Sequence, residues 1–291
     1  MSFNRKDVFA WMLLLPTLLI LGVFVFYPAL DSIYLSLHEV DAFSTRKVFI
    51  GLDNYRMLFI SPEYWQSMRV SIFFTLMTVI PSVVLSLAIA VALDSNPYFR
   101  GVFRTLFLMP VAISSAMAAM LWIFFYNPSS GYLNYLLELM HIQGPNWLGS
   151  GRWALPAVAI TTVWKDIGFN IIFFVAGLSS VPDDVRDAAR IDGANAWQRF
   201  WHVVLPILSP TLLFVTVVSV LNAFQSFGQI HILTAGGPAD ATNTLVYNLY
   251  RDAFRNFQTG SASAQAVILF GIMLLTTGIQ FYVAKKRIHY Q

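Results

Sequence analysis

The sequence predicts an all-α, polytopic membrane protein with six transmembrane helices and one large polar loop on the cytoplasmic side. Three observations lead there. Hydrophobic residues make up 57% of the 291-residue chain and charged residues only 11%, against the roughly 25% charge that covers a soluble surface. Six stretches are long and apolar enough to cross a hydrocarbon core of about 30 Å as helices. A polar island at residues 182–202 separates the fourth stretch from the fifth.

The six helices are expected near 8–30, 70–93, 102–126, 154–179, 204–228 and 264–284, in one transmembrane domain spanning 1–291. Mean hydropathy is +0.63. The first stretch is too long, and too poor in a small-residue cleavage site, for a simple signal peptide, so it reads as a retained helix. Pro81 and Pro110 are expected to bend the second and third helices, which neighbouring helices make tolerable. Three longer polar segments, 31–69, 127–153 and 230–263, fall together on the opposite side from the island. No low-complexity tract or internal repeat is evident.

Six spans put both termini on one side of the membrane. With the termini in the cytoplasm, ten Lys and Arg residues lie on that side, seven lie outside, and Lys165 falls within the membrane, which accounts for all 18. Basic residues in short loops favour the cytoplasm. The same orientation places the island where ATP is.

Several chemistries find no support. The chain has no cysteine, hence no disulfide, thiolate nucleophile or Cys-based metal site. It carries no G-x-x-x-x-G-K followed by Ser or Thr, no H-E-x-x-H and no G-x-S-x-G. Its five histidines are scattered, without the spacing of a ligand set. Met109, Met117 and Met120 read as packing. No catalytic residue, cofactor, metal or nucleic-acid partner is expected. An intramembrane hydrolase and an ion-coupled secondary transporter are the alternatives; the second class often carries inverted repeats and broken helices, which the sequence does not display.

The island has its own logic. Pro182 suits the first turn of a helix, and Asp183 and Asp184 lie near the positive end of its dipole. Arg190 falls near the other end. Gly193 can take the left-handed conformation that stops a helix. Beyond it Trp197, Phe200, Trp201 and Val204 recur at helical spacing. The expectation is helix, glycine turn, second helix, then Pro206 opening the fifth span. Such a hairpin could lie among lipid headgroups or dock on a protein.

Two spans carry polar groups at membrane depth. Trp164-Lys165-Asp166 lies near the middle of the fourth, where an ionisable group costs about 2.5–3.5 kcal/mol on translocon scales. Adjacent residues point about 100° apart, so Lys165 and Asp166 are not expected simply to neutralise each other. At least one faces a wet cavity or a partner helix. On the fifth span Ser219, Asn222 and Ser226 follow i, i+3, i+7 and are expected to share a face. They either meet a solute or hold helices together.

The segment Asp187-Ala188-Ala189-Arg190-Ile191-Asp192-Gly193-Ala194, an eight-residue spacer from Asn195 to His202, and Val203-Val204-Leu205-Pro206 resemble the cytoplasmic loop of ABC importer permeases. That pattern is E-A-A-x-x-D-G-A, eight residues, I-x-L-P. Asp187 stands for Glu and Val203 for Ile. GLDNYRMLF at 51–59, FRTLFLMP at 103–110, WIFFYNPSSGYLN at 122–134 and LTAGGPADATNTLVYNLYRDAF at 233–254 narrow the resemblance to the maltose-type family of sugar and glycerol-phosphate permeases. It runs from about residue 10 to the last helix.

The resemblance implies a type I importer permease fold. It implies a second homologous permease, two ATPase subunits that hydrolyse the ATP, an external solute-binding protein and a prokaryotic inner membrane. Asp187, Ala188, Ala189, Asp192, Gly193, Ala194, Leu205 and Pro206 would couple to the ATPase. Trp164, Lys165, Asp166, Phe169, Ser219, Asn222 and Ser226 would line the solute pathway. An aromatic ring beside hydrogen-bonding groups suits a sugar, and Lys165 is compatible with a phosphate.

Overall fold

The computed structural model describes residues 5–41, 46–95 and 100–285. The cytoplasmic placement expected for residues 286–291, and the part of the outer segment at 42–45, lie outside the described residues. Among the described residues, five helical runs are long and apolar enough to cross a membrane: Trp11–Ser36, Pro62–Asp94, Ala154–Ser179, Ala196–Leu233 and Thr259–Lys285. The pair Thr105–Ala112 and Ser115–Tyr126 makes a sixth if it is one span.

Two compact units divide the chain. One comprises the described residues up to Pro62 together with Leu249–Gly271; the other holds Glu63–Asn248 and the remainder from Ile272.

In the first unit α1 (Arg5–Leu21) continues through a π-helical turn, Gly22–Phe26, into α2 (Tyr27–Ser36). Large apolar side chains cover it outwardly, with Met12 68% and Phe24 73% exposed, as suits a helix facing lipid. A short antiparallel pair follows, β1 (His38–Val40) with β2 (Lys47–Phe49), in which His38 opposes Phe49. Gly51, at φ +62°, turns the chain into α3 (Asp53–Ile60). Buried Asn54 donates to the carbonyls of Ser36 at 2.8 Å and His38 at 3.0 Å. The 51–59 motif is thus a brace that pins α3 to the end of α2.

The second unit is built on three crossing helices. The first, α4 (Pro62–Ser95), runs 34 residues, or about 51 Å at 1.5 Å per residue; Pro81 sits inside it without breaking it. After α5 (Arg100–Leu108) come a 3-10 turn at Met109–Ala112 and α6 (Ser115–Tyr126). α7 (Tyr132–Leu139) lies between α6 and α8 (Ala154–Ser179), which has the predicted bounds. α9 (Asp183–Ile191) and α10 (Ala196–Arg199) form the island. A π-helical turn at Phe200–Val204 leads into α11 (Leu205–Phe224), followed by α12 (Gly228–Leu233). α13 (Leu245–Phe254) and α14 (Thr259–Lys285) each run across the division between the units. Ala90, Phe174, Leu178, Leu208 and Val215, drawn from α4, α8 and α11, form a buried apolar cluster. At Gly168 an added Cβ would collide with the Phe107 carbonyl, so only glycine lets α5 cross α8 this closely.

Two expected spans differ in shape. The third is not one rod over 102–126: its halves meet at 111°. Pro110 sits at the start of the 3-10 turn, Ile113 is extended, and the Ser114 hydroxyl accepts from Met117 N at 3.2 Å to begin α6 afresh. The proline cannot donate to the helical ladder and a new cap takes over. The fifth begins earlier than 204, and its helix α11 stops short of 228. Its helical run starts at Ala196, and α11 stops at Phe224 with Gln225 as C-cap. Ser226 therefore lies beyond α11 and does not share its helical face with Ser219 and Asn222.

Candidate functional site: a polar cavity and a cytoplasmic loop

α4, α8 and α11 each turn polar groups inward. On α4, Ser67, Ser71, Thr75, Thr78, Ser82 and Ser86 are all buried, and their spacing of three or four residues puts them on one face. Asn170 on α8 is 2% exposed. Its amide nitrogen donates to Ser82 Oγ at 2.8 Å and to Ser219 Oγ at 3.2 Å. One side chain thus fastens all three helices, with hydrogen bonds that membrane helices use in place of a hydrophobic drive.

Two cavities open beside this junction. The first, of about 130 Å³, is lined by Thr78, Ser82, Lys165, Asp166, Phe169, Asn170, Ser219 and Asn222 among others. The second, of about 350 Å³, is lined by Ser115, Thr162, Lys165, Asp166, Asn222, Gln225, Ser226 and Gln229 among others. Lys165, Asp166 and Asn222 border both. Lys165 Nζ stands 3.9 Å from Asp166 Oδ1, beyond hydrogen-bond distance. The adjacent charges approach more closely than helix geometry alone suggests, yet each still faces the cavities.

The residues expected along the pathway distribute unevenly. Phe169 and Ser219 line the first cavity, Ser226 the second, and Lys165, Asp166 and Asn222 both. Trp164 lines neither; its indole meets Trp122 edge-on at 5.8 Å. Thr78, Ser82, Asn170, Thr162 and Gln229 were missed. The four-residue spacing of hydroxyls along α4 was the available signal for two of them.

The cytoplasmic loop is built by successive caps. Pro182 is the N-cap of α9, one position before the expected first turn. At its other end Gly193 N–H donates to the Arg190 carbonyl at 3.1 Å and Ala194 N–H to the Ala189 carbonyl at 3.0 Å. With Gly193 at φ +79°, this is a Schellman turn. Asn195, two residues beyond the glycine, then forms a capping box with Gln198, both bonds at 2.9 Å, and starts α10. Arg199 Nη1 closes the loop on the Ala194 carbonyl at 2.7 Å.

This leaves a defined surface. Asp187 and Ala188 are exposed, whereas Ala189 is buried within the chain. Ile191 is 86% and Trp197 70% exposed. The Asp187–Arg190 ion pair, at 2.9 Å, has both side chains more than 60% exposed and contributes little stability. Asp192, Gly193 and Ala194 line an open hollow with Gln198, His202 and Val203, and Leu205 and Pro206 open α11 behind it. Arg186, counted in the sequence only for its charge, donates to Asp94 on α4 at 2.6 Å and to the Leu178 carbonyl on α8 at 2.7 Å.

Residues 65–289 match the family described as binding-protein-dependent transport system inner membrane component. The chain is 40% identical over 286 residues to the sn-glycerol-3-phosphate transport system permease protein UgpA of Agrobacterium fabrum, covering 98% of this chain and 97% of that protein. It is 37% identical over 288 residues to the protein of the same name from Rhizobium meliloti, covering 98% and 97%. A chain in the crystal structure of a bacterial ABC transporter involved in alginate import superposes with a TM-score of 0.84 at 21% identity, covering 97% of this chain and 96% of that one, which speaks to the fold. The chain belongs to the binding-protein-dependent transport system inner membrane components.

Proposed function

We propose that this chain forms half of the solute pathway of an ATP-driven importer, and that its solute is a glycerol phosphate. A second, homologous permease completes the pathway. Of two ATPase subunits, one docks on the α9–α10 loop, and an external binding protein delivers the solute. Both termini and the loop face the cytoplasm. Ala188, Ile191 and Trp197 offer the ATPase a small-residue platform flanked by apolar side chains, and Asp187 and Asp192 add charge at its edges.

The observation that carries the solute assignment is the position of Lys165, one cation at the wall of both polar cavities. It supplies a counter-charge for a phosphate. Asp166 and Asn222 beside it accept hydrogen bonds from glycerol hydroxyls, and Ser219 and the α4 hydroxyls surround them. The names of the relatives, which share 34–40% identity over nearly full length, support the same class.

The test is uptake by the assembled complex with its binding protein. Labelled glycerol 3-phosphate should be taken up and competed by its own unlabelled form, and Lys165→Gln should weaken uptake about tenfold, as expected for a lost charged hydrogen bond. Uptake of a neutral sugar that glycerol 3-phosphate does not compete would assign the pathway to that sugar instead.

A further inference from the structure

One guanidinium ties α9 to the ends of two membrane helices. Arg186 Nη1 donates to Asp94 Oδ2 at 2.6 Å, and Nη2 donates to the Leu178 carbonyl at 2.7 Å. Asp94 lies in the last turn of α4 (Pro62–Ser95), and Leu178 in the last turn of α8 (Ala154–Ser179). The Leu178 carbonyl, which also accepts from the Val181 N–H at 3.2 Å, lies at the C-terminal end of α8, where a cation meets the negative end of the helix dipole. The Arg186 and Asp94 side chains are 23% and 19% exposed, so the pair is far less screened than Asp187–Arg190 on the outer side of the same helix. Val181, between α8 and α9, is buried and stiffens the joint.

The two helices held by this clamp carry the cavity walls. α4 contributes Thr78 and Ser82, and α8 contributes Lys165, Asp166 and Asn170. Asp94 and Ser82 are twelve residues apart on one helix, about 18 Å. The buried cluster of Ala90, Phe174, Leu178, Leu208 and Val215 fills part of the interval, and packed interiors transmit displacement rather than absorb it. A push on α9 therefore reaches both cavity walls through rigid elements.

We propose that Arg186, with Asp94, is the positioning residue that makes displacement of α9 move α4 and α8 together, and so couples ATP hydrolysis to opening of the solute cavity. This rests on the reading of α9 as the ATPase-docking helix. Neither residue lines either polar cavity. Lysine cannot replace the arginine, because one ammonium lacks the fork that reaches a carboxylate and a carbonyl at once.

The test uses the complete complex with its binding protein, in the wild-type form and as Asp94→Asn, Arg186→Lys, Arg186→Gln and the double variant Asp94→Asn/Arg186→Lys. Two quantities are read per purified complex: ATPase retained, and ATP hydrolysed per glycerol 3-phosphate imported. The clamp predicts full ATPase retention with about a tenfold rise in ATP used per solute. It also predicts a double variant no worse than the worse single change, because the two residues act as one unit. Fewer complexes with the wild-type ratio in those that assemble would make Arg186 a structural brace and overturn the proposal. Full retention with an unchanged ratio would overturn it as well, leaving the docking role of α9 intact. A wild-type chain that retains no ATPase would overturn the docking reading and the clamp together.

Discussion

Replacing Gly193 tests the loop where backbone geometry, not contact, sets the requirement. Gly193 stands at φ +79°, and a Cβ added there meets nothing within 4 Å, so a larger side chain is opposed by conformation alone. A left-handed position costs an L-residue roughly 1–2 kcal/mol, with a β-branched side chain at or above the upper end. The bonds from Gly193 N–H and Ala194 N–H to the Arg190 and Ala189 carbonyls, at about 0.5–1.5 kcal/mol each, hold the turn closed in every variant, so the strain alone sets the difference. Gly193→Val should therefore weaken the native turn by about 2 kcal/mol, a factor of roughly 30 in its population. Gly193→Asn should be mild, because asparagine tolerates this conformation, and Gly193→Ala should fall between. The assay is ATPase retained per purified complex, with stimulated hydrolysis measured alongside. The predicted order is Gly, Asn, Ala, Val. A valine variant that retains as much ATPase as the asparagine variant would show that docking does not need the positive φ at Gly193, since the two differ mainly in their tolerance of it.

Further outcomes follow from the same geometry. Ala188→Trp should leave the loop folded but detach the ATPase, because Ala188 is exposed; Ala189→Trp should disrupt the loop itself, because that methyl is buried in the chain, and proteolysis of the loop would separate the two. Asn170→Leu should lower the thermal stability of the purified chain by about 1–3 kcal/mol, since it strands the Ser82 and Ser219 hydroxyls; an unchanged melting temperature would contradict its bracing role. Asn222→Leu, and Lys165→Leu with Asp166→Leu, should lower transport while assembly persists, because these residues border both cavities; normal uptake would make them helix contacts only. With no native cysteine, Gln198→Cys should react with an impermeant thiol reagent only from the cytoplasm and Gln258→Cys only from outside; the reverse pattern would invert the topology.

Hydropathy made the spans legible because burial in lipid leaves a continuous apolar run, and α8 matches its expected bounds to the residue. The helix ends were less legible. The run through α1 and α2 reaches Ser36 and α4 starts at Pro62, since helices continue past the apolar window wherever the backbone has no reason to stop. The break at Ile113 is written locally in Pro110 and Ser114, but a proline also sits harmlessly at Pro81, so the proline alone does not announce a 111° turn. The α9–α10 loop could be read closely because its caps are local: Gly193, Asn195 and Gln198 lie within six residues. Asn170 and Arg186 could not, because their partners Ser82 and Asp94 lie 88 and 92 residues away. Only the folded crossing of α4, α8 and α9 brings them together.

Reconstituting the complex in sealed vesicles, and following ATP hydrolysis and glycerol 3-phosphate entry together, tests whether an ATPase bound to the α9–α10 loop drives solute through this chain. Binding protein carrying solute should stimulate hydrolysis, and entry should stop when ATP is withheld while ion gradients are kept. Solute accumulation that continues without ATP and collapses with an ion gradient would contradict ATP-driven entry.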